Sequence, residues 1–261
     1  MNLDLKNKTA IVCGATQGIG LGIAKELAKE GVDLILIARN KEKLINCVNS
    51  LKNPSKHSFI CVDFSKPSEL KKMLGNYFNK HKRIVHILIN NTGGPKSGPI
   101  ESATTEEFVN AFNMHVLCNQ ILCSFVIPGM KKLGYGRIIN IISTSVKVPI
   151  SGLGVSNTIR GAVANWAKTM ANELGEFQIT VNNVLPGYTK TGRLKSLFEK
   201  MSSSQNKPIK EIENNIISNV PLKRLGAVTD VANIVIFLAS EKASYISGVN
   251  IPVDGGRTGS L

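Results

Sequence analysis

Thr9-Ala-Ile-Val-Cys13-Gly14-Ala-Thr-Gln-Gly18-Ile-Gly20 joins an apolar, β-branched run directly to a glycine-rich turn, and a helical pattern begins after Gly20. Glycine is required where a chain turns tightly and lets another group approach its backbone. A helix starting there offers free N–H groups and the favourable end of its dipole to an anion. The turn reads as a pyrophosphate cradle built from Gly14, Thr16, Gln17, Gly18, Ile19 and Gly20. Its place, at the first strand-to-helix junction of an alternating chain, separates it from an ordinary tight turn.

Working outward, short β-branched runs recur at Thr9 to Cys13, Leu34 to Ala38, Phe59 to Val62, Val85 to Ile89, Arg137 to Ile142, Thr180 to Leu185 and Val249 to Val253. Helical spacing fills the gaps, as with Ile23, Leu27 and Ala28, or Val163, Ala167 and Met170. The rhythm predicts a single α/β domain over 1–261, a Rossmann-type doubly wound parallel sheet of about seven strands flanked by helices. Residues 192–220, polar and helix-permissive with Pro208 inside, depart from the rhythm near a strand end and are expected to form a substrate lid.

The chain is 43% hydrophobic with a formal net charge of +14. Its basic residues are scattered pairs such as Lys71-Lys72 and Lys223-Arg224, without interleaved aromatics, so a basic solvated surface is expected in place of nucleic-acid binding. An acidic carrier protein or a phosphorylated ligand is compatible with that charge. Five cysteines (Cys13, Cys47, Cys61, Cys118, Cys123) form no Cys-x-x-Cys pair and suit the core of a protein in a reducing compartment; no metal is expected. The N-terminus lacks the apolar stretch of a signal peptide, and no apolar run looks long enough to cross a bilayer, so a cytoplasmic location without membrane contact is expected.

Four more strand ends fit the same nucleotide. Arg39 follows the second strand, where a carboxylate would accept from an adenosine ribose; a guanidinium there suits a 2′-phosphate, hence NADP(H) over NAD(H). Asp63 follows the third strand and can accept from an adenine amino group. Asn90-Asn91-Thr92-Gly93 and Pro186-Gly187-Tyr188-Thr189-Lys190-Thr191 follow the fourth and sixth, lining the carboxyl edge where such sheets bind ligands.

With these motifs, the strand-five run Gly136-Arg-Ile-Ile-Asn-Ile-Ile-Ser143 and Val253-Asp254-Gly255-Gly256, nearly the whole chain resembles the short-chain dehydrogenase/reductase family, in the subset that includes 3-oxoacyl carrier-protein reductases. The resemblance implies NADP(H) chemistry on a small carbonyl or alcohol substrate. It implies that Asn90 and Asn91 support the cofactor and the sheet, that Thr191 meets the nicotinamide carboxamide, and that the last strand and the helices at 104–132 and 152–175 build a homotetramer or homodimer.

The catalytic positions depart from the family pattern of Ser, Tyr, a Lys four residues later and an Asn. Counting on from Ser143 lands on Ser156 where the tyrosine belongs and on Arg160 where the lysine belongs, and Arg160-Gly-Ala-Val163 continues as the family helix does. His115 falls where the family has Asn, with Asn113 nearby. The run Ser156-Asn-Thr-Ile-Arg160 resembles a bacterial branch carrying Ser-Asn-x-x-Arg. An alkyl hydroxyl is a far weaker acid than a phenol of pKa about 10, so the proton needs another source, with Tyr188 and His115 the candidates. Arginine keeps its charge and can fork onto ribose hydroxyls, so the binding half of the lysine's role survives. The alternative function is a non-catalytic NADP(H) sensor or a silent subunit.

Overall fold

The computed structural model describes residues 2–260. Seven strands, β1 (Thr9–Cys13), β2 (Asp33–Ala38), β3 (Ser58–Cys61), β4 (Ile87–Asn90), β5 (Gly136–Ile141), β6 (Ile179–Pro186) and β7 (Asn250–Val253), form one sheet in the order β3-β2-β1-β4-β5-β6-β7. Every pairing is parallel. The chain runs outward through β2 and β3, then returns to start β4 beside β1. That reversal opens a crevice at the carboxyl ends of β1 and β4, where the ligand of a doubly wound sheet sits.

Both faces of the sheet are covered, which is why the strands read as continuous apolar runs. Ala10 and Val12 point to one face with Ile23 and Leu27 of α1 (Gly18–Lys29) and Val231 and Val235 of α9 (Val228–Leu238). Ile11 and Cys13 point to the other, with Leu70 and Leu74 of α3 (Pro67–His81), Leu122 and Val126 of α5 (Cys118–Leu133), and Ala167 of α6 (Gly154–Leu174). The period-2 alternation of a strand divides β1 between two cores. The remaining helices are α2 (Lys41–Asn49), α4 (Thr105–Phe112), α7 (Gly192–Gln205) and α8 (Ile209–Ser218). All five cysteines are free; burial pushes the Cys118 thiol up to about 12 and raises Cys13 and Cys123 further, so these thiols are packing groups.

Three expectations need correction. Helix α1 begins at Gly18, inside the glycine motif and not after Gly20. The fourth strand starts at Ile87 rather than Val85; just before it, His86 Nδ1 accepts from the Thr9 N–H at 3.0 Å and the His86 N–H donates to the Thr9 carbonyl at 2.8 Å. The expectation that no apolar run could cross a bilayer also fails by length and composition: α4, a π turn at Asn113–Leu117 and α5 join into one helix, Thr105–Leu133, of 29 residues, long and apolar enough for a span. Here Cys118, Leu122, Cys123, Val126 and Met130 of that helix pack into the core, which accounts for its hydrophobicity. The two long helices therefore run 105–133, interrupted by the π turn, and 154–174.

Candidate active site

The glycine turn is built by close approach. Gly14 and Gly18 hold φ of +59° and +52°, which side-chain-bearing residues rarely adopt. A Cβ on Gly14 would lie 2.7 Å from Asn91 Nδ2, and one on Gly20 would overlap the Gly14 carbonyl. Asn91 Nδ2 donates to the Cys13 carbonyl at 3.1 Å, latching the loop after β4 to the turn after β1. Gln17, at the helix N-cap, makes no side-chain bond to the first turn of α1, so its N–H groups stay available to an external acceptor.

Farther along the same edge, Arg39 is largely exposed, and its Nη1 lies 3.9 Å from Asp63 Oδ2. Asp63 Oδ1 accepts from the Ser65 N–H at 2.9 Å. That bond, aided by Arg39, holds its carboxyl below the usual range. Thus the two outer residues meet each other after β2 and β3, away from the central cleft.

Asn90 begins a feature that no sequence motif signals. Its Nδ2 donates to Asn140 Oδ1 at 2.8 Å, Asn140 to Asn183 at 2.9 Å, and Asn183 to Asn250 at 2.8 Å. The four stand in register across β4, β5, β6 and β7. Buried amides are costly unless bonded, and here each bonds its neighbour, tying together the strands whose carboxyl ends carry the site. No spacing rule links the four positions, because the ladder exists only once the strands are side by side.

The cleft itself, about 340 Å³, gathers Gln17, Gly18 and Ile19, Asn91, Ser143, Ser156, Arg160, Pro186, Gly187, Tyr188 and Thr191. Ser156 and Arg160 come into it on one face of α6, four residues apart, and both are buried. The start of α6 is fixed by a two-way backbone contact, Gly98 N–H to Gly152 O at 2.8 Å and Gly154 N–H to Gly98 O at 3.3 Å. Arg160 Nη1 donates to the Ile141 carbonyl at 2.7 Å, while its Nε has no partner. Burial, and secondarily the cation of Arg193, pushes Arg160 down to about 10, which leaves it charged at neutral pH. Ser143 Oγ accepts from the Ser145 N–H at 3.1 Å, which orients it at the end of β5. Thr191 caps α7 and lies against Gly18, whose added Cβ would be 3.3 Å from its Cγ2.

Of the residues selected by motif, Gly14, Thr16, Gly20, Arg39, Asp63, Asn90, Gly93 and His115 do not line the cleft. Gly14 and Gly20 shape it from beneath Asn91. His115 sits in the π turn, buried behind Arg160, and shares with it a cavity of about 10 Å³. Burial first, then the Arg160 and Arg193 cations, hold its imidazole well below the usual range, against an opposing backbone hydrogen bond with Gly93. Its Nε2 has no partner. His115, not Asn113, is the buried residue of the turn. Tyr188 lines the cleft and also packs against the cluster of Leu194, Phe198, Ile212 and Ile216 from α7 and α8.

Two charged cleft residues are given no role by the sequence motifs. Arg193 donates from Nη1 to the Gly94 carbonyl at 3.0 Å and from Nη2 to the Pro95 carbonyl at 3.1 Å. Arg257 lies over the Tyr188 ring, its Cζ 4.8 Å from the centroid. The turn that delivers Arg257 is held by Asp254, whose Oδ1 and Oδ2 accept from the Gly256 and Thr258 N–H groups at 3.0 and 2.8 Å. The only sequence signal for it is the Asp254-Gly255-Gly256 turn itself.

A family model described as enoyl-(acyl carrier protein) reductase matches residues 14–258. Dehydrogenase/reductase SDR family member 4 of Oryctolagus cuniculus is 32% identical over 259 residues, covering 98% of this chain and 96% of that protein. The 3-oxoacyl-(acyl-carrier-protein) reductase FabG of Chlamydia pneumoniae is 30% identical, covering 99% and 100%. Among solved structures, L-sorbose reductase from Gluconobacter frateurii, complexed with NADPH and L-sorbose, superposes with a TM-score of 0.92 at 28% identity over the full length of both chains. With its motifs gathered on the carboxyl edge of a seven-stranded parallel sheet, the chain belongs to the short-chain dehydrogenase/reductase family of oxidoreductases.

Proposed function

We propose that this protein is an NADP(H)-dependent oxidoreductase that reduces the carbonyl of a small molecule, or oxidises the corresponding alcohol, at a site where Ser156 and Arg160 stand in place of the family's tyrosine and lysine. The observation that carries the reading is the cleft in which the glycine turn, Asn91, Ser143, Arg160 and Thr191 converge. The residues fit the nucleotide: Gly14 and Gly20 let the turn pack against itself and Asn91 where a Cβ would clash, the first turn of α1 keeps its N–H groups uncapped by a side chain, and the buried Arg160 Nε has an unused donor. The exposed Arg39 suits a 2′-phosphate. NADP(H), when bound, supplies or accepts a hydride.

The chain's own residues divide the remaining work. Ser143, oriented by the Ser145 N–H, donates a hydrogen bond to a substrate oxygen. Arg160 holds ribose hydroxyls through the donors left free by its single bond to Ile141. Ser156 leaves room where a phenol would stand and is too weak an acid to deliver the proton. Tyr188, in the cleft, is the nearer proton source. His115, neutral at pH 7 and screened by Arg160, acts only as a relay through water.

Residues 192–220 are the lid, an assignment supported by the packing of α7 and α8 on Tyr188. Exposed Val109, Phe112 and Leu117 on the helix 105–133 support a homo-oligomer joined through it.

Calorimetric titration with NADPH and NADH is the direct test. Tighter NADPH binding is expected, with the preference lost in Arg39→Ala, and NADPH oxidation with a ketone is expected to weaken in Tyr188→Phe. Absence of turnover over a broad carbonyl and alcohol panel, with tight NADPH binding, would instead support a second reading, a non-catalytic NADP(H)-binding protein. The absence of the tyrosine and lysine favours that reading. Activity gained only in a Ser156→Tyr, Arg160→Lys double variant would assign the parent chain to it.

A further inference from the structure

The cleft carries three guanidiniums, from Arg160, Arg193 and Arg257, and no Asp or Glu among its lining residues. Of the four arginines elsewhere, three meet carboxylates: Arg39 meets Asp63, Arg137 meets Glu241 and Arg224 meets Asp230. None of the three cleft arginines forms an ion pair among the described residues. Arg160 is buried, whereas Arg193 is exposed and is held by the neutral Gly94 and Pro95 carbonyls. Cations converging on one space with no carboxylate in its walls give that space a positive potential that favours an anion.

The nucleotide does not account for all of them. Its pyrophosphate has the start of α1, and its 2′-phosphate has Arg39, which follows β2. Arg257 follows β7, five strand spacings away, roughly 24 Å across the edge. Arg193 follows β6 and is clamped by the Gly94 and Pro95 carbonyls, so its charge is held in place. Arg257, stacked on Tyr188, faces the same cleft. Between them the walls are apolar, with Ile142, Ile150, Leu153, Leu194 and Leu197. The geometry points to a substrate that carries a carboxylate beside its reducible carbonyl, with the carboxylate held by Arg257 and Arg193 and the carbonyl turned toward Ser143. This inference deepens the reductase reading and rests on it.

The test compares linear oxo acids, from 2-oxobutanoate to 6-oxoheptanoate, with their primary amides. Each is titrated calorimetrically into the protein with and without saturating NADPH. At least one acid is expected to bind about tenfold or more tightly than its amide, the advantage of a guanidinium-held carboxylate over a neutral group. Arg257→Gln is expected to erase most of that ratio and Arg257→Lys to retain part of it, with NADPH affinity unchanged in both. Arg193→Gln, checked for an unaltered melting temperature, is expected to narrow the ratio as well. Equal binding of acids and amides, or an acid preference untouched in Arg257→Gln, overturns the inference. Failure to bind NADPH strikes the reductase reading; the acid-to-amide ratio on the nucleotide-free protein then decides the carboxylate site by itself.

Discussion

Two buried arginines bond to the two ends of β5, and they live in opposite circumstances. Arg137, at the amino end, is 2% exposed and fully engaged. Its Nε donates to the Ser240 carbonyl, its Nη1 to those of Gly136 and Gln178, and its Nη2 to Glu241. Arg160 reaches the carboxyl end through one bond to Ile141, keeps an unpartnered Nε, and faces a second cation. A buried charge stabilises a fold when its donors are all used, as at Arg137. One with spare donors in a cleft, as at Arg160, is the arrangement expected of a group that binds another molecule.

The largest way to break this contrast is to remove each cation in turn. Arg137→Met leaves three main-chain carbonyls without donors and is expected to cost about 3 kcal/mol in urea unfolding, with NADPH affinity preserved. Arg160→Met is expected to do the reverse: stability within about 1 kcal/mol of the parent or above it, and NADPH binding weakened about tenfold by calorimetry. If Arg160→Met unfolds as readily as Arg137→Met, the distinction between a structural and a functional arginine is lost.

A smaller test uses pH. His115 is held neutral in the folded protein, so below about 6.5 the unfolded chain takes up a proton that the folded chain refuses. Stability is therefore full above the ordinary histidine value and declines as pH falls toward the lower folded one. His115→Asn is expected to flatten the urea midpoint across that window relative to the parent. His86, depressed in the same direction by burial and by Lys8, is common to both proteins and cancels in the difference. Equal slopes would mean that the imidazole behind Arg160 is not shielded.

The smallest effect sharpens the account of Arg137. Glu241 is half-exposed, and its oxygen lies 3.3 Å from Nη2. Glu241→Gln is expected to cost only about 0.5 kcal/mol, measured by the same urea unfolding. A loss near that of Arg137→Met would assign the stabilisation to the ion pair instead of the carbonyls.

Much of the fold and part of the site are legible in the amino-acid order alone. The glycine turn, the seven apolar runs and the i, i+4 pair Ser156 and Arg160 are local patterns, and each lies within a residue or two of the place its pattern indicates. Helix α1 begins earlier than its apolar spacing suggests because Gly18, freed from the usual limit on φ, both closes the turn and opens the helix. The merged helix 105–133 is not legible as one element, because its π turn lets two segments continue without a break in backbone bonding.

By itself, the sequence determined the strand count, the glycine turn and the spacing that sets Ser156 and Arg160 on one helix face, since glycine conformation and side-chain chemistry are properties of single positions and short spacings. Only the tertiary structure decided that His115 lies behind Arg160, that four asparagines bond across neighbouring strands, and that Arg193 from the first turn of α7 and Arg257 from the turn after β7 enter one cleft. Those relations join positions up to 160 residues apart, from Asn90 to Asn250. They arise from parallel strands packed side by side, with a register set by burial on both faces, and no periodicity in the chain records them.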